Sequence, residues 1–183
     1  MKCFFLIFGL FTNTLSFSQA NDGPIEITPV ILQQIKQEIE LEALKFKAKL
    51  IKEKEKSIHI EFNLDTFRVE QLMAKWIELD YRDFAMKEAI YEGARLYDSL
   101  LNKYYKKVLE ALKSEEKKIL VQAQKTWLAF RDSELKLIAA LSKDEYSGGG
   151  TLQQLTEASI YLNIIKDRTI ALYGHYIRAT QSE

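Results

Sequence analysis

Apolar side chains return every three or four residues through most of this 183-residue chain, and that period admits helices packed by one face and little else. Thr28-Pro29 reads as an N-cap followed by proline at the first helical position, and beyond it Leu32, Ile35, Ile39, Ala43, Phe46 and Leu50 form one stripe. Lys49, Glu53 and Lys56 fall on the solvent side, so the tract KEKEKS is a solvated helix end and not a binding patch. Ile58, Ile60, Phe62 and Leu64 alternate, which predicts a short extended segment; no second alternating run exists to pair with it, so no sheet is expected. Asp65 would cap a helix burying Val69, Leu72, Met73 and Trp76, and Asp80 or Asp83 would restart it. Ile90, Ala94, Tyr97, Leu101, Tyr105, Val108 and Leu112 then keep helical spacing. Ser114 before Glu115 and Glu116 reads as a capped start with acids where the helix dipole favours them. Leu120, Ala123, Trp127, Ile138 and Leu141 are expected inward on that helix. SKDEYSGGG breaks the pattern, because three glycines neither bury a side chain nor restrict the backbone. A T-x-x-Q capping box at Thr151 and Gln154 opens the last helix, with Leu152, Leu155, Leu162, Ile165 and Leu172 inward. The expected fold is all-α: an antiparallel helical bundle with three core helices at about 84–113, 115–141 and 152–177, an N-terminal helical extension over 21–81, and a tail over 178–183.

Ahead of the helices, one lysine precedes an apolar run from Cys3 to about Leu15, and small and polar residues follow to Ser18-Gln19-Ala20. This is the pattern of a secretory signal peptide over residues 1–20, cleaved after Ala20. The run is well short of the ~20 apolar residues that span a bilayer, so stable membrane insertion is not expected. A lipid-anchored chain needs its cysteine after the apolar run, and Cys3 stands before it. Cleavage would also remove the only cysteine, leaving an exported, periplasmic or secreted chain of 163 residues with no thiol, no disulfide and no Cys-ligated metal.

The charges exclude further classes. Removal of Lys2 from 26 basic residues leaves 25 against 26 acidic ones, a balance that offers no basic face for nucleic acid or anionic lipid. His59 and His175 stand alone without H-x-x-H or H-E-x-x-H spacing, so no zinc or other cofactor is expected. No G-x-S-x-G elbow is present, and the acids lie on mixed-charge helix faces, unlike the opposed pair of a glycosidase. Gly150, and not lysine, precedes Thr151, which excludes a Walker-type phosphate loop. The chain reads as non-enzymatic.

Four short motifs stand at the helix contacts: Leu101-Asn102-x-x-Tyr105, Ala123-Gln124-x-x-Trp127-x-x-Phe130-Arg131-Asp132, Gly149-Gly150-Thr151 and Arg168-Thr169-x-x-Leu172. Together, over about residues 82–177, they resemble the N-terminal domain of the LprI-type lysozyme inhibitors. The resemblance implies structural roles for Asn102, Tyr105, Gln124, Trp127, Arg131, Asp132, Gly149, Gly150 and Arg168, with Trp127 in the core. Buried polar side chains must find partners, so Arg131, Gln124 and Asn102 are expected to meet between helices, joined by Asp98 or Arg168. If exposed, Arg131 would instead pair with Glu134, and Asp132 with Lys136. Members of the family usually carry cysteines at the positions of Ala89, Leu135 and Ile160, so Leu135 and Ile160 are expected to touch as a core pair in place of a disulfide.

Two functional readings follow. In the first, the chain is an exported protein-binding module resembling LprI-type inhibitors that covers the cleft of a lysozyme, with Lys143, Asp144, Glu145 and Tyr146 as the candidate binding loop. In the second, it is a structural or envelope-stress protein that binds another envelope component or its own copy through Ile35 and Ile39. The plainer reading of the YSGGGT loop is a flexible turn.

Overall fold

The computed structural model describes residues 23–180, and among them the backbone forms six helices and no strand. The expected signal peptide and residues 181–183 of the tail lie outside the described residues. No helix among the described residues is long and apolar enough to cross a membrane.

Helix α1 (Pro29–Lys52) begins at the expected cap, where the Thr28 hydroxyl accepts the Ile31 N–H at 3.3 Å. It buries Ile35, Ile39, Ala43 and Leu50. A tight turn with Lys54 at φ 59° reverses the chain into α2 (Ser57–Leu79). The extended segment expected at Ile58–Leu64 is therefore helical. Ile58, Phe62, Asp65, Val69, Leu72 and Trp76 are spaced four, three, four, three, four, a helix seam interrupted by one polar residue. Asp65 does not cap α2; it lies within it and accepts the Tyr104 hydroxyl at 2.9 Å and Lys103 Nζ at 2.5 Å.

Helix α3 (Asp83–Ala111) follows after a corner at Asp80. Helix α4 (Ser114–Leu141) begins with Lys113 in the cap position and no side-chain cap bond, so Ser114 is its first residue and not its cap. A single turn, α5 (Asp144–Ser147), leads to α6 (Thr151–Thr180). Gln154, expected in a capping box, accepts Lys87 Nζ of α3 at 2.9 Å.

The helices form an all-α bundle in which sequence neighbours run antiparallel. Arg68 of α2 bonds Glu40 of α1 at 2.7 Å, and Phe46 stacks on Phe67 with ring centres 4.8 Å apart. Helices α3 and α6, separated by α4, run parallel and make the most extensive contact in the chain. The parallel sense is visible in the pairs Lys87–Gln154, Tyr97–Thr169 and Lys107–Tyr176. Their interface explains the core: Tyr97, Leu101, Tyr104 and Val108 of α3 meet Ile165 and Leu172 of α6, with Val69 and Met73 of α2 on one side and Leu120 of α4 on the other. Ala85, Ala89, Gly93 and Ala94 on α3 and Ala158 on α6 are buried, and such small residues let backbones approach closely. Ile35, Ile39 and Leu72 build a second cluster between α1 and α2. Burial of Ile35 and Ile39 rules them out as a face for self-association.

Three expected inward residues face solvent instead. Ala123 is exposed, Leu141 is 51% exposed at the end of α4, and Leu152 is 69% exposed. On α4 the inward set is Leu120, Gln124, Trp127, Arg131 and Ile138, because polar residues occupy inner positions where an apolar stripe was expected.

Gly93 fixes the distance between α2 and α3, since a β-carbon there would overlap the Met73 side chain. Gly93→Val is expected to cost about 1–3 kcal/mol, read by denaturant unfolding, and to combine with Met73→Ala at less than the sum of the single effects. Strict additivity would place the two residues apart. Asp80, 2% exposed, accepts Arg82 Nε at 2.7 Å and Nη2 at 2.5 Å. The Arg82 guanidinium holds the carboxyl below its usual range, against the opposite push of burial. A depressed carboxylate stabilises the fold above its unfolded value of about 4 and ceases to do so as pH falls through the folded one. The unfolding midpoint should therefore drop on acidification below about pH 4, and Arg82→Gln should flatten part of that decline.

Candidate partner-binding surface

Helix α4 is held to the bundle by few contacts and buries one residue, Leu120. Its inner face is a polar seam. Arg168 of α6 donates Nε to Gln124 Oε1 at 3.0 Å. Two guanidinium groups stand over the Trp127 ring, Arg131 at 5.6 Å and Arg168 at 5.7 Å from its centre. Burial lowers the Arg168 pKa from its ordinary value, and its Nη2 is enclosed without a hydrogen-bond partner. The indole face serves in place of one.

The other expected members of this network are elsewhere. Asn102 is exposed and donates to the Asp98 carbonyl at 2.9 Å within its own helix. Arg131 bonds its neighbour Asp132 at 2.8 Å, and no pairing of Arg131 with Glu134 or Asp132 with Lys136 forms. Of the expected network Gln124–Arg168 alone crosses between helices, because Asn102 is exposed and spends its amide on Asp98 one turn back. Tyr105 is half-buried against the core. Ala89 is buried, Leu135 and Ile160 are half-buried, and Leu135 lines a groove with Glu157 and Tyr161, which flank Ile160 on α6.

Outside this seam the surface divides in two. The outward face of α4 presents Ile119 at 69%, Phe130 at 53% and Leu137 at 51% exposure. Ile119, Ala123, Trp127 and Phe130 line an open groove of about 720 Å³. Beyond the end of α4 lies the candidate loop. Lys143, Asp144, Glu145 and Tyr146 are all exposed, Tyr146 at 68%. The loop is locally ordered: the Ser147 hydroxyl donates to the Ser142 carbonyl at 3.0 Å and accepts the Gly149 N–H at 3.1 Å. Gly148, Gly149 and Gly150 have φ of 75°, 76° and 100°, a region that disfavours any side chain. At Gly149 a β-carbon would also stand 2.7 Å from Asp144 Oδ1.

A second polar system, unforeseen in the sequence, joins α2 to α3 and α6. Tyr97 donates to Glu70 at 2.5 Å, and Lys166 reaches the same oxygen at 2.5 Å. Lys103 bridges Asp65 and Glu61 at 2.5 and 2.8 Å, and Lys107 bonds Glu61 at 3.0 Å. His59 bonds the Tyr173 hydroxyl. Burial, and then the adjacent carboxylate, pushes the Tyr97 and Tyr104 phenols well above their ordinary values, so both remain donors. Burial pushes Glu61 up, but the two lysines outweigh it and hold it low. The signal was available as helical spacing on α3, Tyr97 to Tyr104 seven apart and Lys103 to Lys107 four apart beside them. Every member is engaged with another, an arrangement suited to fastening helices. Among the described residues no group of three or more His, Cys, Asp or Glu is placed to hold a metal.

The family model for the lysozyme inhibitor LprI matches residues 80–172, just over half of the chain. The chain belongs to the LprI family. The match begins at the Asp80 corner and ends within α6, so the LprI region comprises α3, α4, α5 and most of α6. Helices α1 and α2 precede it; α2 shares its core, and α1 packs on α2 through the second cluster. No curated protein and no solved structure matches the chain.

We propose that Leu135 and Ile160 face each other across α4 and α6 at the site of an LprI-family disulfide. A Leu135→Cys, Ile160→Cys variant is expected to close a bridge on mild oxidation, seen as faster migration without reductant and an unfolding free energy higher by about 2–4 kcal/mol. Two thiols that stay free would set the pair apart, since a bridge requires Cα atoms within about 7 Å.

Proposed function

We propose that this LprI-family chain is an exported, non-enzymatic inhibitor that binds a lysozyme through the α5 loop. The observation that carries this reading is Tyr146, an exposed aromatic side chain on a single helical turn tied down at both ends by Ser147 and the left-handed glycines. A pre-ordered loop loses little entropy on binding, and tyrosine is among the side chains that dominate binding energy. Asp144 and Glu145 outnumber Lys143 beside it, a local charge that suits a basic target. The family supports an inhibitory role, and the expected leader supports a periplasmic or secreted location, where cell-wall lytic enzymes act.

The test is a lysis assay. The purified protein is expected to slow cell-wall lysis by at least one lysozyme, and Tyr146→Ala to weaken the effect at least tenfold with no change in Tm. Undiminished lysis across several lysozyme types would remove the reading.

A further inference from the structure

We propose that the outward face of α4 docks on the same face of a second copy of this chain, the two helices running antiparallel about a two-fold axis near Thr126 and Phe130. This inference does not rest on the lysozyme reading. Its basis is a second seam on α4, distinct from the one facing the bundle. Ile119, Ala123, Thr126, Phe130, Ser133, Leu137 and Ala140 are spaced four, three, four, three, four, three. That is the heptad repeat of a helix that packs against another helix. All but Ala140 are exposed, and Ala140 is partly so. Among the described residues nothing covers them.

The seam fits its own reverse. In an antiparallel pair each a position meets a d position of the partner, and a two-fold axis between Thr126 and Phe130 satisfies this for every layer from Ile119 to Leu137, with Ala140 beyond them beside Glu116 of the partner subunit. Thr126 then faces Phe130 of the partner subunit, Ala123 faces Ser133 of the partner subunit, and Ile119 faces Leu137 of the partner subunit. The central ring thus meets a smaller side chain, the next layer is small on both sides, and the outer layers are closed by two large aliphatic groups. Ala129, beside the axis, adds no bulk.

Area and charge point to the same occupant. The exposed large side chains and the small ones between them offer on the order of 600 Å² per copy, or about 1,200 Å² for a pair, the lower end of what specific stable interfaces bury. The flanks of α4 carry both signs, with Lys118, Lys125 and Lys136 against Glu115, Asp132 and Glu134, so a second copy meets no like-charged wall. The same register brings Lys143, just past the helix, near Glu115 of the partner subunit, whose carboxylate is otherwise engaged, among the described residues, by the exposed Lys118. A basic enzyme surface would gain no such complement here.

Sedimentation velocity on the wild-type chain is expected to show a concentration-dependent monomer–dimer equilibrium. Phe130→Glu and Leu137→Glu, each at an exposed position, should shift its midpoint at least tenfold toward monomer with unchanged helicity and Tm. Orientation is read by cross-linking in a Cys3→Ser background. Ala129→Cys should give a covalent dimer with a short bismaleimide, whereas Glu116→Cys should not, because its two copies would stand roughly 36 Å apart along the paired helices. A strict monomer at high concentration, a dimer indifferent to both glutamate variants, or cross-linking at Glu116→Cys would each overturn the proposal. A monomer whose Phe130→Glu variant loses lysozyme inhibition would assign the face to the enzyme instead.

Discussion

The close parallel contact of α3 with α6 is the constraint on which the rest of the structure depends. It is made possible by small side chains: Ala89 and Ala94 on one helix and Ala158 on the other, all buried, remove the bulk that would hold the axes apart. Once the backbones are close, Thr169 can donate to the Tyr97 carbonyl at 3.2 Å as well as to Ile165 in its own helix at 2.9 Å. A hydroxyl enclosed at this depth needs such partners. Tyr97 and Tyr104, placed by the same contact, then present their hydroxyls to Glu70 and Asp65 and so draw α2 onto the pair. Through α2 the constraint reaches α1.

The described residues contain no cysteine, and the fold is held by complementary packing and paired charges. The lysine–carboxylate bonds between α2 and α3 are partly exposed and individually weak; their use is to fix register. An apolar seam alone tolerates sliding by a turn, whereas Lys103 and Lys107 can meet Asp65 and Glu61 together in one alignment only. Polar groups on the inner face of α4 act similarly. Gln124 and Trp127 match Arg168 at one position along α6, which orients a helix that has little apolar burial of its own. Weak attachment to the bundle and an outward seam are two aspects of one allocation of residues, since the side chains that would have bound α4 inward point outward.

Much of this was legible in the chain. The Thr28-Pro29 start, the long third helix, the break at the glycines and the final helix follow from capping chemistry and the 3.6-residue period, which act within a turn or two and need no distant partner. The segment Ile58–Leu64 was not legible, because Asp65 interrupts the apolar seam and its compensating partners, Lys103 and Tyr104, lie 38 and 39 residues away. Asn102 and Arg131 misled in the opposite direction. Their types suggested a shared buried network, but each bonds along its own helix, and only the relative rotation of α3 and α4 reveals that.

For α4 the sequence carried two apolar seams, and a periodicity read along one helix does not say which is covered. Local physics determined on its own that this chain forms long amphipathic helices with a glycine-broken loop before the last, because hydrogen bonding, capping and backbone freedom are set by near neighbours. Only the tertiary structure decided which face of each helix is buried, that Trp127 meets Arg168 as well as Arg131, and that Phe130 remains in solvent, because burial is a competition among all helices for a limited shared surface.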